Sequence, residues 1–463
     1  MKKIMNQRTI NDKFEKDQFP GKPKILFIGH PNSSHTHNWI DLLACSDFNI
    51  RLFPSTNEIP LNTWNIWTYI TAFPILGEGY TKTNWIRFPL LFMLQGITKI
   101  FFTEILNLFR GKFTDNPNRL GQLDPNPNNE KLLAKPGLDS GRIRQAFHSW
   151  RVFWTQAWLA QIINNWQPDI IHALGCFDAQ GGEIFFEAIK KFDVIPKGRI
   201  VITIRGGSDI TLRRYDPQQV EKIKTIFEIA DQIISDNRTN FTYLKAMGII
   251  QNKFSSISPI PGSGGIDIDY FQSISTNPPS LRERLILFPK AYECMWSKAL
   301  PVFEGILLAW DKIQPCKIIM TAMDEESMSW FRTFPEKIRM NCTLFGRIPK
   351  QELLKIMGQA RIVLFPSLVD GVPNVLYESM AVGAFPIVSP LETISSVVKS
   401  EDNVLFARNL YPEEISTALI RAMKDDYLVD EAAKSNLILV QKIADRKKIQ
   451  EKVVTFYQEL VEG

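Results

Sequence analysis

The sequence predicts an α/β protein built from two doubly wound, Rossmann-like domains that face one another across a cleft. Three observations predict it. Short apolar runs of strand length alternate with longer helical stretches over most of the chain, which is the pattern of parallel βαβ units. Several of these runs end in small polar or glycine-rich loops, where doubly wound sheets take their ligands. A chain of 463 residues suggests two or three domains.

The composition narrows the function. With 44% hydrophobic and 22% charged residues the chain has ample material for a core. A net charge of +5 fits anionic ligands or a membrane surface. It is too small to argue for nucleic acid, and no nucleic-acid partner is expected. Cys45, Cys176, Cys294, Cys316 and Cys342 are scattered, odd in number and without CxxC spacing. That disfavours a disulfide framework or a zinc site and points to a reducing compartment. The first eight residues are basic but no apolar run follows, unlike a secretory signal. A cytoplasmic protein is expected, peripheral on the inner face of the plasma membrane if its aromatic segment binds lipid.

In order, residues 1–21 are polar and read as a loose leader. The first domain spans 22–275. Lys24 to Ile28 is its first buried strand, and the loop 29–38 leads into a helix carrying Trp39, Leu42 and Leu43. This first βα junction supplies the cleft candidates Gly29, His30, Ser33 and His35. With His37, the loop histidines could suggest a metal cluster. Loop histidines that hydrogen-bond substrate or water are the better reading. Residues 56–150 form an aromatic-rich insertion, with Trp64, Trp67, Tyr69, Phe73, Trp85, Phe88, Phe92, Phe101, Phe102, Phe109 and Phe113. Leu90 to Phe109 reads as helical, but Lys99 and Glu104 interrupt it, against a transmembrane span. Two readings stand for this segment: an amphipathic helix at a membrane surface, through residues 60–112, or a helical hairpin packed on the first domain. Residues 114–141 are turn-rich, and helix resumes near Arg142–Trp166.

Pro168 to Gly175 holds the next strand, with His172 towards its end. A flexible turn to Gly182 opens the helix 183–192. Ile200–Ile204 is a strand that runs into Arg205-Gly206-Gly207-Ser208-Asp209. The helix 217–230 and the strand 232–235 continue the alternation. The second domain, 276–445, opens with Leu285 to Lys290, and Lys298 follows. Strands are expected at 318–321 and near 343–348, then a helix at 350–358. A last amphipathic helix, 446–463, is expected to cross back to the first domain.

Residues 360–390 carry the most information. Ile362–Phe365 suits a buried parallel strand, and Pro366-Ser367 stops it. Asp370-Gly371-Val372-Pro373 turns into a helix from Asn374 to Ala381 that ends at Gly383. Phe385–Val388 is the next strand. The free N–H groups of a helix that follows a strand and a loop favour a phosphate. Asp370 and Glu378, eight positions apart, bracket that helix start. Carboxylates beside a phosphate repel it unless they accept from hydroxyls. A ligand with phosphates in the middle and polyols at each end satisfies both requirements.

The stretch resembles the signature of the retaining GT-B glycosyltransferases of group 1 (GT4-like), acidic-x7-Glu within Pro-Ser…Glu-Gly-x-Pro…Glu-Ala-Met-Ala-x-Gly-x-Pro-Val. Here Asp370 stands for the usual Glu and Ser379 for the usual Ala. The resemblance covers roughly residues 22–55 and 165–463 and leaves the aromatic insertion unmatched. It implies that Glu378 and the turn Gly371, Val372, Pro373, Asn374, Val375 and Leu376 bind the donor, with Glu378 on ribose and Asp370 on the hexose. Lys290 and Lys298 fall near the family's diphosphate-clamping Arg and Lys, at a longer spacing than usual; two solvated lysines are the alternative. Gly346, Arg347 and Ile348 match the strand end that holds the base. His172 matches the first His of Pro-Asp-x-x-His-x-His, and Leu174 replaces the second. It is implied to face the reaction centre, against the alternative of a satisfied histidine beside the sheet. Arg205-Gly206-x-x-Asp209 resembles His-Gly-x-Asp. A guanidinium there cannot exchange its proton near neutrality but can hold a phosphate or an acceptor oxyanion. Asp267-x-Asp269 mimics a metal motif, but its glycines and Phe271 match the family's linker between domains.

The resemblance therefore implies metal-independent transfer of a hexose, with retention, from a nucleotide-diphosphate sugar to a glycan or lipid-linked acceptor, in cell-envelope polysaccharide or glycolipid synthesis. His172, Asp370, Lys290 and Lys298 are the catalytic candidates, and no cofactor or metal is expected. A nucleotide-sugar epimerase of the same fold and a degenerate transferase acting as a scaffold are the other readings.

Overall fold

The computed structural model describes residues 16–61, 63–71, 85–87, 140–177, 181–207, 209–275 and 277–463. Two parallel sheets form, one in each half. The first contains β1 Lys24–Gly29, β2 Asn49–Pro54, β3 Trp67–Ile70, β4 Trp85–Arg87, β5 Ile170–Ala173, β6 Arg199–Ile204 and β7 Gln232–Ser235. Its order is β4-β3-β2-β1-β5-β6-β7. The second contains β8 Leu285–Phe288, β9 Lys317–Met320, β10 Cys342–Leu344, β11 Ile362–Leu364, β12 Phe385–Val388 and β13 Leu405–Phe406, in the order β10-β9-β8-β11-β12-β13.

The central strands are largely apolar because helices cover both faces. Successive residues point to opposite sides. Thus Leu26 and Ile28 enter one core and Ile25 and Phe27 the other. In the second sheet Ile286 and Phe288 enter one core and Leu285 and Leu287 the other. The strand order reverses between β1 and β5 and again between β8 and β11. Loops leaving the carboxyl ends of strands diverge at such points and open a crevice. The crevices of the two sheets hold the residues of the candidate site.

The chain crosses between domains twice. After Gly265 it enters the second core, where Ile266 and Phe271 are buried. The helix Ile268–Ile274, placed by sequence in the first domain, therefore packs with the second, because its apolar side meets Met357 and Met380 there. The return crossing lies beside the outward one: Ile266 N–H donates to Ala444 C=O (2.8 Å) and Arg446 N–H to Ile266 C=O (2.9 Å). The helix Arg446–Glu462 then buries Ile449, Val453, Phe456 and Tyr457 against the first sheet with Phe27 and Trp39.

Two sequence expectations change. The end of the leader is tied down: Trp166 Nε1 donates to Asp17, and Phe19 exchanges hydrogen bonds with Asn49. The start of the aromatic insertion belongs to the sheet as β3, and β4 adds its edge strand. Tyr69 is buried edge-on against Trp158, ring centres 5.3 Å apart, and Trp64 is buried beside the first helix. These aromatics are core. The helix read at 90–109, the loop at 114–139 and the membrane surface built on them lie outside the described residues, as do residues 1–15. No described helix is long and apolar enough to cross a membrane.

Candidate active site

On the second domain the site is built by the loops after β8 and β11. They are knitted together: Leu368 N–H donates to Trp296 C=O (2.8 Å), Ser297 Oγ to Pro366 C=O (3.2 Å), and Asn409 Nδ2 to Pro366 C=O (3.0 Å). This brings Lys290, one residue past Pro289 on the first loop, onto the carboxylate of Asp370 on the second. Burial is the largest single influence and opposes the charge on Lys290, but Asp370, Tyr292 and Cys294 together exceed it, and the amine's pKa is raised. Lys290 is therefore a firm cation. Lys298 shares its loop but is half-exposed and paired with Glu293 at 3.4 Å.

The helix Asn374–Ala381 starts after Pro373 with no side chain capping it, so its first N–H groups stay open for an anion. Val372 and Leu376 are buried in the core. Their side chains face the core and cannot meet a ligand, and Leu376 N–H already donates to Pro373 C=O (2.9 Å). Glu378 projects from this helix and is 4% exposed. One of its oxygens pairs with Lys350, while Oε2 is buried with no partner. A buried carboxylate oxygen without a donor is costly, and ligand hydroxyls are its natural complement. Gly346, Arg347 and Ile348 form an open loop after the edge strand β10. Arg347 lies within electrostatic reach of Tyr292, which also feels Lys290 and Asp370.

On the first domain the loops after β1, β6 and β7 face this group. Ser33 caps the helix Ser34–Ile40 by accepting from His35 N–H, so it serves the fold. Gly29 ends β1, and its carbonyl accepts from Ser55 N–H (2.9 Å). His30 pairs with Glu58 at 3.3 Å. His37 Nε2–H donates to Pro31 C=O (2.8 Å), and burial pushes its pKa down to about 3. These histidines serve separate partners and do not converge. His35 is the exposed one, and its pKa is lowered by desolvation and then by the charge of Arg205. It also feels Asp370 and Lys350 of the other domain.

The glycines of Arg205-Gly206-Gly207 make the contact across the cleft. A Cβ on Gly207 would sit 2.6 Å from Val369 Cγ1 and 2.8 Å from Asp370 O. One on Gly371 would sit 2.4 Å from Asp236 Oδ2 and 2.7 Å from Gly206 Cα. Gly206 has φ +67, where L side chains strain. Two buried carboxylates brace the turn from beneath. Asp209 accepts from Arg205 N–H (2.9 Å), and Asp236 accepts from Gly206 N–H (2.9 Å) and from Asn237. Burial pushes Asp209 up to about 7 and Asp236 up to about 6. Asp209, a cleft candidate by sequence, thus holds the loop and does not line the cleft.

His172 requires a correction. It is fully buried, with Nδ1 on the Tyr457 hydroxyl and Nε2 on Thr203 Oγ1 (2.6 Å). Trp39 Nε1 donates to the same Tyr457 oxygen, leaving the tyrosine's own proton for His172. Burial, then Arg205, pushes the imidazole's pKa well below its usual value. A neutral histidine with both nitrogens occupied has none to offer a substrate. It is a structural residue that seats the C-terminal helix.

Sequence reasoning missed Asp236 and Lys350. Asp236 follows the last residue of β7, and a polar residue at the carboxyl end of a parallel strand was the available signal. Lys350 begins a helix after Pro349, and nothing local marks it.

Comparison with solved structures places the architecture first. HepE from Anabaena, solved with UDP, aligns at 12% identity over 94% of this chain and 100% of its own, TM-score 0.57. Sucrose-phosphate synthase from Thermosynechococcus elongatus aligns at 14% identity over 95% and 99%, TM-score 0.61. An E. coli trehalose-6-phosphate structure with bound UDP-2-fluoro glucose aligns at 12% identity over 95% and 99%, TM-score 0.58. No curated protein sequence matches the chain. The fold is GT-B, two facing Rossmann-like domains. Residues 335–437 match the family model of the glycosyl transferases group 1, a stretch that contains the motif at 360–390.

Proposed function

We propose that the protein transfers a hexose from a nucleotide-diphosphate sugar to a glycan or lipid-linked acceptor, with retention and without a metal ion. One observation carries the reading. The buried, unpartnered Glu378 Oε2 sits on the helix whose uncapped start follows Asp370 and Lys290. That set offers an acceptor for ribose hydroxyls, donors for a diphosphate, and a carboxylate beside the other domain for the sugar.

The chemistry follows from charge. Negative charge grows on the leaving diphosphate as the glycosidic bond breaks. Lys290 and the N–H groups of the helix start stabilise it in place, before any solvent reorganises. Lys298 joins them by leaving Glu293. Arg347 and the Gly346–Ile348 loop receive the base. Asp370, half-buried and held by Lys290, accepts from sugar hydroxyls. Front-face attack, with the leaving phosphate taking the acceptor's proton, gives retention without a covalent intermediate. The acceptor reaches the sugar from the first domain, along the loops holding His35 and Gly206.

The test is calorimetric titration of the purified protein with nucleoside diphosphates and their sugars, followed by proton NMR of the product. Binding of one nucleotide and its sugar, and a product anomer matching the donor's, support the reading. Release of free or epimerised sugar without acceptor would favour an epimerase. Failure of every nucleotide to bind the folded protein would leave a scaffold.

A further inference from the structure

Arg205 is the buried charge that the transfer chemistry leaves unused. Its side chain is 6% exposed, and both Nε and Nη2 are buried without a hydrogen-bond partner. These two donors lie along one edge of the guanidinium, the edge that matches two oxygens of a carboxylate or phosphate. Burial lowers its pKa to about 10, so the group remains a cation near neutrality.

The neighbouring carboxylates do not complete it. Asp209 spends an oxygen on the Arg205 backbone N–H, and Asp236 spends both on Gly206, Asn237 and Asn240. Neither forms an ion pair with the guanidinium. The Trp39 ring lies 5.5 Å from its central carbon and flanks it without offering an acceptor. A neutral hydroxyl would leave the charge and one donor unmet. The position is equally informative. Gly206, the next residue, abuts Gly371, and exposed His35 feels Arg205 and Asp370 together. The diphosphate has its own cations on the opposite domain.

We propose that Arg205 receives an anionic group, a carboxylate or phosphate monoester, carried by one of the two sugars that meet in the cleft. The inference rests on the transfer reading above.

The test uses calorimetry on the full chain with two arms. The donor arm compares UDP, UDP-glucose and UDP-glucuronate. The acceptor arm compares glucose, glucuronate and glucose 6-phosphate in the presence of saturating UDP. Each is run on the wild type, Arg205→Gln and Arg205→Lys. In one arm the wild type should bind the charged sugar at least tenfold more tightly than the neutral one. Arg205→Gln should erase that preference, Arg205→Lys should keep only part of it, and UDP affinity should stay within twofold. The arm that responds identifies which sugar carries the anion. A wild type that binds UDP but shows no preference in either arm overturns the inference while leaving the transfer reading intact; that measurement needs no variant to fold. An equal loss of UDP affinity in Arg205→Gln also overturns it, since the guanidinium would then serve the diphosphate. The nucleotide that the protein binds takes the place of UDP in both arms; a wild type that binds no nucleoside diphosphate removes the transfer reading, and the inference with it.

Discussion

Replacing Glu378 by Gln tests the donor site most directly. The substitution keeps the shape of the side chain, removes its charge and turns one acceptor oxygen into an N–H donor. Oε2 is buried without a partner, while the other oxygen holds Lys350, whose side chain is about half exposed. A hydrogen bond to a charged group contributes about 1.5–3 kcal/mol. At about 1.4 kcal/mol per factor of ten, losing one such bond to the ribose should weaken binding by roughly 10- to 150-fold. The loss should be the same for UDP and for UDP-sugar, because the ribose is common to both. Stability should change little, since the pair with Lys350 is wet at its lysine end and an incompletely satisfied buried charge is removed with it. Titration calorimetry with both ligands, beside urea unfolding, measures each part. A folded variant whose UDP affinity lies within twofold of wild type would refute the ribose assignment, and a loss confined to the UDP-sugar would move Glu378 to the hexose.

Four further outcomes are expected. Lys290→Ala should lower kcat by about 10- to 150-fold from the same charge-assisted contact, read by steady-state kinetics; a near wild-type rate would remove the clamp. Asp370→Asn should weaken UDP-sugar binding while sparing UDP, and equal losses would contradict its place on the sugar. Gly207→Ala brings a Cβ to 2.6 Å from Val369 Cγ1 and should hold the domains apart. It should cut kcat at least about tenfold while UDP affinity, set by the second domain alone, stays within about twofold; an unchanged kcat would show that closure is not needed. Asp209, raised to about 7 in the fold, stabilises the native state in its protonated form. That contribution is full below the ordinary carboxylate pKa and is lost as pH rises towards 7. Denaturant unfolding should therefore show Asp209→Asn gaining on the wild type between pH 5 and 7, by at most about 1.4 kcal/mol per pH unit, with no further gain above. A pH-independent difference would mean that Asp209 stays charged.

The alternation of strand and helix was legible because strands buried on both faces must be apolar, and the runs at 24–28, 200–204 and 285–288 show it. The turn from Asp370 to Asn374 was legible because its chemistry is local: proline, glycine and two acids at fixed spacing. What escaped depended on distant partners. His172 looked reactive at the end of a strand, and it is Tyr457, 285 positions on, that closes its ring. Lys350 and Glu378 are 28 positions apart and share no motif. Asp236 acquires its role only because Gly371 of the other domain arrives beside it. Trp67 and Tyr69 read as part of an aromatic insertion because a four-residue strand is too short to show a period.

The paired crossings at Ile266 and Asp445–Arg446 also limit how the molecule can move. Two covalent connections laid side by side and hydrogen-bonded to each other behave as the pin of a door. They leave rotation about their common line as the soft coordinate and resist twisting or sliding of one half past the other. The Gly206–Gly371 contact joins the two halves, so it must part when they rotate. The final helix carries this further. It belongs to one leaf in sequence and to the other in packing, so a chain ending near residue 445 would lose the pin and expose the bed of Tyr457 together. Shortening the C-terminus should therefore unsettle the half of the protein that is farthest from it along the chain.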